Sequence, residues 1–204
     1  MGAPRLIAIT DIAQHGPELT FARALRLCEA GRAGTVLLQL RDRGLPLRDR
    51  LAHGLALREI ASRFGQGLAV NDRLDVALLV RADAVHLGEA SVEIADARRM
   101  VPGREVYRAV HDVGAALGSD ADAVVLSPVL APRKGAEPLG LAALQEYAAA
   151  RRARAKGPRL YALGGVDAAG AAACLAAGAD GVAVQGAAWT GDIAALLDAL
   201  DIAR

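Results

Sequence analysis

Short apolar runs and longer amphipathic stretches alternate along the chain. The runs are LIAIT (6–10), TVLLQL (35–40), LAV (68–70), AVHL (84–87), EVYRAV (105–110), AVVL (123–126), LYALG (160–164) and GVAVQ (181–185). Apolar runs without polar alternation suit strands covered on both faces, hence a parallel sheet flanked by helices. Between them lie helix-like segments such as LTFARALRLCEAG, LRDRLAHGLALREIASRFG, LAALQEYAAARRARA and AAGAAACLAAG, several of which end in glycine, as helix C-termini commonly do. With GDIAALLDALDIA as the last helix, eight strand-plus-helix units follow one another. That number closes a (β/α)8 TIM barrel of the α/β class, and residues 1–204 read as one such domain. An open doubly wound sheet is the alternative. It wants a glycine-rich turn after the first strand, and ITDIAQHGPE contains no G-x-G-x-x-G.

Composition removes several function classes. A hydrophobic share of 53% excludes intrinsic disorder, and no linker rich in Pro, Ser or charge interrupts the pattern. A formal net charge of +1 gives no overall pull toward nucleic acid or an anionic membrane. Aromatic residues, at 3%, are too few for a base-stacking surface, and the basic run RRARAKGPR reads as a solvated patch at the barrel bottom. The opening MGAPRLIAITD has an apolar run too short for a signal peptide. Cys28 and Cys174 lie in Ala- and Leu-rich helical patterns and read as small buried apolar residues. Together these features predict a cytoplasmic protein without nucleic-acid or membrane partners. Lys134 and Lys156 are the only lysines among 24 Lys and Arg residues, so each stands out against the arginine bias.

A barrel places its chemistry at the C-terminal ends of the strands, where the βα loops form one face. The polar residues that follow the apolar runs comply: Thr10 and Asp11; Gln39, Arg41 and Arg43; Asn71 and Asp72; His86; His111; Ser127 with Lys134. Gly164 and Gly165 follow the seventh run and open a helix, while Gln185 and Gly186 follow the eighth. Glycines let backbone N–H groups approach an anion closely, and a helix N-terminus adds the positive end of its dipole. These two loops therefore predict a phosphate-binding site.

In order, ITD, LLQLRDR, AVNDRLDVALLVRADAVHLG, SPVLAPRKGAEPLGL, YALGGV and AGADGVAVQGA resemble the thiamine phosphate synthase and thiazole tautomerase (TenI-like) superfamily across nearly the whole chain. The resemblance implies a (β/α)8 barrel acting in thiamine biosynthesis on a small thiazole phosphate. In the synthase branch a pyrimidine diphosphate ionises and the thiazole nitrogen attacks the resulting carbocation. On that pattern Gln39, Arg41 and Arg43 lie on the diphosphate and pyrimidine side, Asn71 and Asp72 match the pyrophosphate-and-metal motif, and Lys134 matches the lysine of the strand-six loop. Asp72 would then hold Mg²⁺.

Three departures weigh against that branch: Ser91 replaces a second metal-binding aspartate, Ala109 replaces a diphosphate-contacting serine, and SPVLAPRKG lacks the usual threonines. The tautomerase branch expects serine after LG, as in LGEAS, and a Val-His pair ending strand five, as in AVHD with His111. Its chemistry is a proton shift that makes the thiazole aromatic, which needs no metal and suits a histidine. The leading expectation is thus a thiazole tautomerase with no cofactor, in which His111 is the catalytic group. Arg41, Asn71 and Lys134 would position the carboxylate and ring, with Gln39, Arg43 and His86 also on the substrate. The alternative is a Mg²⁺-dependent thiamine phosphate synthase; a third is a non-catalytic barrel that binds a thiamine-related phosphate. Apolar residues on barrel helices are compatible with a homo-oligomer.

Overall fold

All eight apolar runs form strands. The computed structural model describes residues 3–42, 44–133, 135–154 and 157–204. The strands are β1 Leu6–Ile9, β2 Val36–Leu40, β3 Gly67–Asn71, β4 Ala84–Leu87, β5 Glu105–Val110, β6 Ala123–Leu126, β7 Arg159–Leu163 and β8 Gly181–Val184. Each pairs in parallel with the next, and β8 pairs with β1 through Leu6↔Val182, so the sheet closes on itself. Closure removes both sheet edges. The helices are α1 Ile12–His15, α2 Pro17–Ala30, α3 Leu47–Arg63, α4 Leu74–Leu79, α5 Ile94–Met100, α6 Val113–Leu117, α7 Gly140–Arg154, α8 Ala168–Ala176, α9 Gly186–Thr190 and α10 Ile193–Ala199. The sequence pattern does not announce α1 and α9, which are single turns set directly after β1 and β8. Among the described residues no helix is long and apolar enough to cross a membrane.

Successive strand residues face opposite sides, so a run that is apolar throughout feeds two separate cores. One set, including Leu6, Leu38, Val70, Leu87, Val124 and Val182, packs outward under the helices. The other, including Ile7, Leu37, Ala69, Ala84, Val125 and Ala183, fills the barrel interior. Cys28 and Cys174 are buried, and burial pushes the Cys28 thiol up to about 12 and the Cys174 thiol to about 11. They are packing residues, as their surroundings predict. Aspartates cap several helices: Asp112, Asp167 and Asp192 accept backbone N–H groups at the starts of α6, α8 and α10.

The floor of the barrel is sealed by aromatic rings. Tyr107 and Tyr161 stack with centroids 5.8 Å apart and planes 16° from parallel. Arg159 lies over the Tyr107 ring and pairs with Glu105 at 2.7 Å, while Glu105 also accepts from the Tyr107 hydroxyl at 3.0 Å. The Tyr161 hydroxyl donates to the Pro4 carbonyl at 2.7 Å, so both buried phenols are satisfied.

Candidate active site

The inward rows turn polar as they climb. Ala69 is followed by Asn71, Ala84 by His86, Val125 by Ser127 and Ala183 by Gln185, each two residues further along the same face. At the top these side chains, with Arg41 and His111, line a cleft of about 320 Å³. This is the strand C-terminal face that the fold reserves for chemistry.

A chain of hydrogen bonds crosses the cleft floor. Asn71 Nδ2 donates to Asp72 Oδ2 (2.5 Å), Gln39 Nε2 donates to Asn71 Oδ1 (3.4 Å), and the His86 Nδ1–H meets Gln39 Oε1 at 3.0 Å. The direction is fixed from one end. An ionised carboxylate only accepts, so Asn71 must turn its amide nitrogen to Asp72 and its oxygen to Gln39. Gln39 then offers its own oxygen to His86, which donates through Nδ1 and, in the neutral ring, carries its lone pair on Nε2.

Asp72 does not cap the following helix: α4 begins at Leu74, after an Arg73 cap position. Its backbone is left-handed, with φ 59°, and its side chain reaches over to the loop after β4. There Oδ1 accepts from the Gly88 N–H at 3.0 Å and from the Ser91 hydroxyl. Ser91 also accepts from the Gly88 N–H at 2.8 Å. Ser91 thus donates a hydrogen bond to the Asp72 carboxylate.

Arg41 is set by a buried carboxylate that sequence reading passes over. Asp42 is only 6% exposed; its Oδ2 accepts from Thr10 Oγ1 and its Oδ1 from the Ile12 N–H, both at 2.5 Å. Thr10 Oγ1 in turn accepts from the Arg41 N–H at 3.1 Å, which ties the ends of β1 and β2 together below the guanidinium.

His111 faces the cleft from just beyond the end of β5. Its Nδ1–H donates to the Ser127 carbonyl at 2.5 Å, which leaves Nε2 toward Glu89, 3.4 Å from Oε1. Glu89 is largely exposed and His111 nearly half exposed, so the pair contributes at most about 1 kcal/mol when the ring is protonated. Glu89 is a second residue that the motifs did not single out.

Beside the deep cleft lies an outer cup of about 370 Å³, lined by Gly164, Gly165, Gln185 and Gly186 among others. Gly164 and Gly165 both have positive φ, 107° and 72°. A Cβ at Gly165 would stand 2.4 Å from the Ala131 Cβ, so only glycine fits under the loop after β6. That loop is laced to the glycine turn: Val129 N–H donates to Leu163 O and Leu130 N–H to Gly164 O, both at 2.9 Å. Gln185 Nε2 donates to Asp11 Oδ2 at 2.6 Å.

The structure thus gathers Arg41, Asn71, His86 and His111 around one cleft and Gly164, Gly165, Gln185 and Gly186, the residues expected to bind phosphate, around the adjoining cup. One placement differs from the expectation. Gln39 is fully buried and supports Asn71 and His86 from below instead of lining the cleft. The stagger of the strands is the reason: Gln39 pairs with Ala69, one inward layer beneath Asn71. Asp72 sits beside the cleft, turned toward Gly88 and Ser91. Arg43 and Lys134 lie outside the described residues.

The family model for thiamine monophosphate synthase matches residues 6–188. The chain belongs to the thiamine monophosphate synthase family. Within this family, a thiamine-phosphate synthase of Methanoculleus marisnigri is 45% identical over 186 residues, covering 88% of this chain and 84% of that protein. One of Albidiferax ferrireducens is 36% identical over 193 residues, covering 91% and 84%. Among solved structures, the thiamine phosphate pyrophosphorylase of Pyrococcus furiosus superposes with a TM-score of 0.81 at 27% identity, covering 97% of this chain and 95% of that one. These thiamine-phosphate synthase relatives favour the synthase alternative over the tautomerase expectation.

Proposed function

We propose that this member of the family is a thiamine-phosphate synthase. It would join a pyrimidine diphosphate to a thiazole phosphate and release diphosphate. The observation that carries the reading is the pair of adjoining clefts, which share Arg133, Leu163 and Gln185. A reaction that joins two phosphorylated substrates needs two anion sites within bonding reach of each other, whereas a proton shift on one substrate needs one.

In this reading the pyrimidine diphosphate occupies the deep cleft. Arg41 faces the diphosphate, where a guanidinium fork matches phosphate oxygens. The carbon–oxygen bond to the diphosphate breaks with both electrons leaving on oxygen, and the thiazole nitrogen supplies the pair that forms the new carbon–nitrogen bond. The outer cup holds the thiazole phosphate against backbone N–H groups, so that the ring nitrogen points into the deep cleft. Asn71 and His86 line that cleft with their orientations fixed by Gln39.

The residues fit Mg²⁺ in the form in which few carboxylates bind and substrate phosphates complete the shell. Asp72 would hold the ion with the Ser91 hydroxyl beside it, and among the described residues no group of three His, Cys, Asp or Glu gathers there. Bound, the ion would neutralise charge on the departing diphosphate. Replacing Ser91 by Asp puts a second carboxylate against the first. Ser91→Asp is expected to tighten Mn²⁺ binding about tenfold, read by electron paramagnetic resonance on the protein without substrate. Unchanged affinity would separate Ser91 from the cation.

The test of the function is a thiochrome fluorescence assay given both substrates and Mg²⁺. Catalytic formation of thiamine phosphate is expected; none, with a working synthase as control, overturns the reading. His111 favours a second reading, the tautomerase, because its Nε2 faces the cleft while Nδ1 is held by Ser127. That reading expects His111→Ala to slow thiazole tautomerisation by about a hundredfold or more with little change in ligand affinity. Equal turnover by variant and parent would remove it.

A further inference from the structure

We propose that Arg133 is a bridging residue that grips the phosphate in the outer cup and the diphosphate in the deep cleft at once, and so makes each ligand strengthen the other; this rests on reading the two clefts as the anion sites of one reaction. Of the three residues common to both clefts, Arg133 alone is charged. In the outer cup the charged lining residues among those described are Arg133 and Asp167, and Asp167 is occupied in capping α8 through the Gly170 N–H at 2.8 Å. Arg133 is therefore the cup's positive side chain within the described structure.

Its backbone is anchored while its head group is uncommitted. Arg133 N–H donates to Ala136 O at 3.1 Å and Ala136 N–H returns a bond to Arg133 O at 2.9 Å. The same loop is bound to the glycine turn through Val129 and Leu130 and to the start of α7 by Gly140 N–H to Val129 O at 2.9 Å. Among the described residues the guanidinium itself makes no hydrogen bond or ion pair with the protein. A guanidinium carries five donors in a planar fork and can serve two anions from its two edges.

The physics sets a sign. Two phosphorylated ligands side by side repel, so without a shared cation each weakens the other. A cation held between them reverses this, and the coupling must be equal in both directions. The experiment is isothermal titration of inorganic pyrophosphate at constant Mg²⁺, with and without saturating thiazole phosphate, and the converse titration. The native chain is expected to bind each ligand about fivefold or more tightly when the other is present. In Arg133→Met each ligand alone is expected to bind roughly tenfold more weakly, with the mutual enhancement lost or reversed. Arg152→Met removes an exposed arginine near the C-terminal end of α7 and controls for net charge; it should leave all affinities in place.

Enhancement that survives in Arg133→Met, or weakening of one ligand only, overturns the inference and leaves the function standing. So does binding of both ligands by the native chain without enhancement. If the native chain binds neither ligand, the inference falls together with the reading of the clefts.

Discussion

Replacing Asp72 by Asn is expected to lower thiamine phosphate formation by at least about a hundredfold while leaving the melting temperature within a few degrees. Asn is the informative substitution because the backbone at this position is left-handed, with φ 59°, a region that Asn enters more readily than Ala. The change is chemical, from a group that only accepts to one that also donates. Asp72 receives hydrogen bonds from Gly88, Ser91 and Asn71. An amide there must turn its NH₂ toward at least one of these donors. If the clash falls on Asn71, that amide flips and presents its nitrogen to Gln39, and the disturbance passes to His86. The loss of negative charge also removes the carboxylate proposed to hold Mg²⁺, so added Mg²⁺ should restore little. Thiochrome fluorescence over a Mg²⁺ series, paired with thermal melting, checks both parts. Activity within a few-fold of the parent would overturn the role given to Asp72.

The second large effect is expected at Gly165. Gly165→Ala places a Cβ 2.4 Å from the Ala131 Cβ and 2.8 Å from its backbone nitrogen, at φ 72°. Strain in the left-handed region and forced displacement of the neighbouring loop should together cost about 2–4 kcal/mol. The loop that must move is the one that carries Arg133 and is bonded to Gly164. Binding of the thiazole phosphate should therefore weaken by roughly tenfold or more in addition to the loss of stability. Gly186 provides the contrast, since an added Cβ there meets nothing within 4 Å. Gly186→Ala should melt within a degree or two of the parent, so any loss of phosphate affinity reports on the cup itself. Denaturant unfolding and ligand titration of both variants make the comparison; equal stability of Gly165→Ala and parent would contradict the packing argument.

The barrel was legible because its strands are apolar on both faces, a pattern that few other arrangements accept. The positions of Asn71, His86 and His111 were legible for a related reason: each continues an inward row past the point where the interior ends. Depth was not legible. Gln39 shares the inward face, but the register that sets it a layer below Asn71 arises from closure of the whole sheet, which no local stretch encodes. The sequence offers Asp72 as a metal ligand, but the bonds its left-handed turn makes with Gly88 and Ser91 depend on a loop 16 residues away or more. Asp42, Glu89 and Arg133 passed unnoticed because charged residues in loops are common; only assembly shows one buried under Thr10 and another shared by two clefts.

The stacked tyrosines at the barrel floor also bear on traffic through the proposed site. Both rings are fully buried and fill the interior beneath the cleft, so what enters above Arg41 leaves by the strand C-terminal face. The proposed synthase reaction, with two substrates and two products, would then run on a single-lane road. Departing diphosphate would occupy the place the next pyrimidine needs, and the larger product would span both parking spaces until it goes. Turnover of that reaction would be paced by clearance as well as by bond making, and a partner enzyme that consumed either product would speed it without touching this chain.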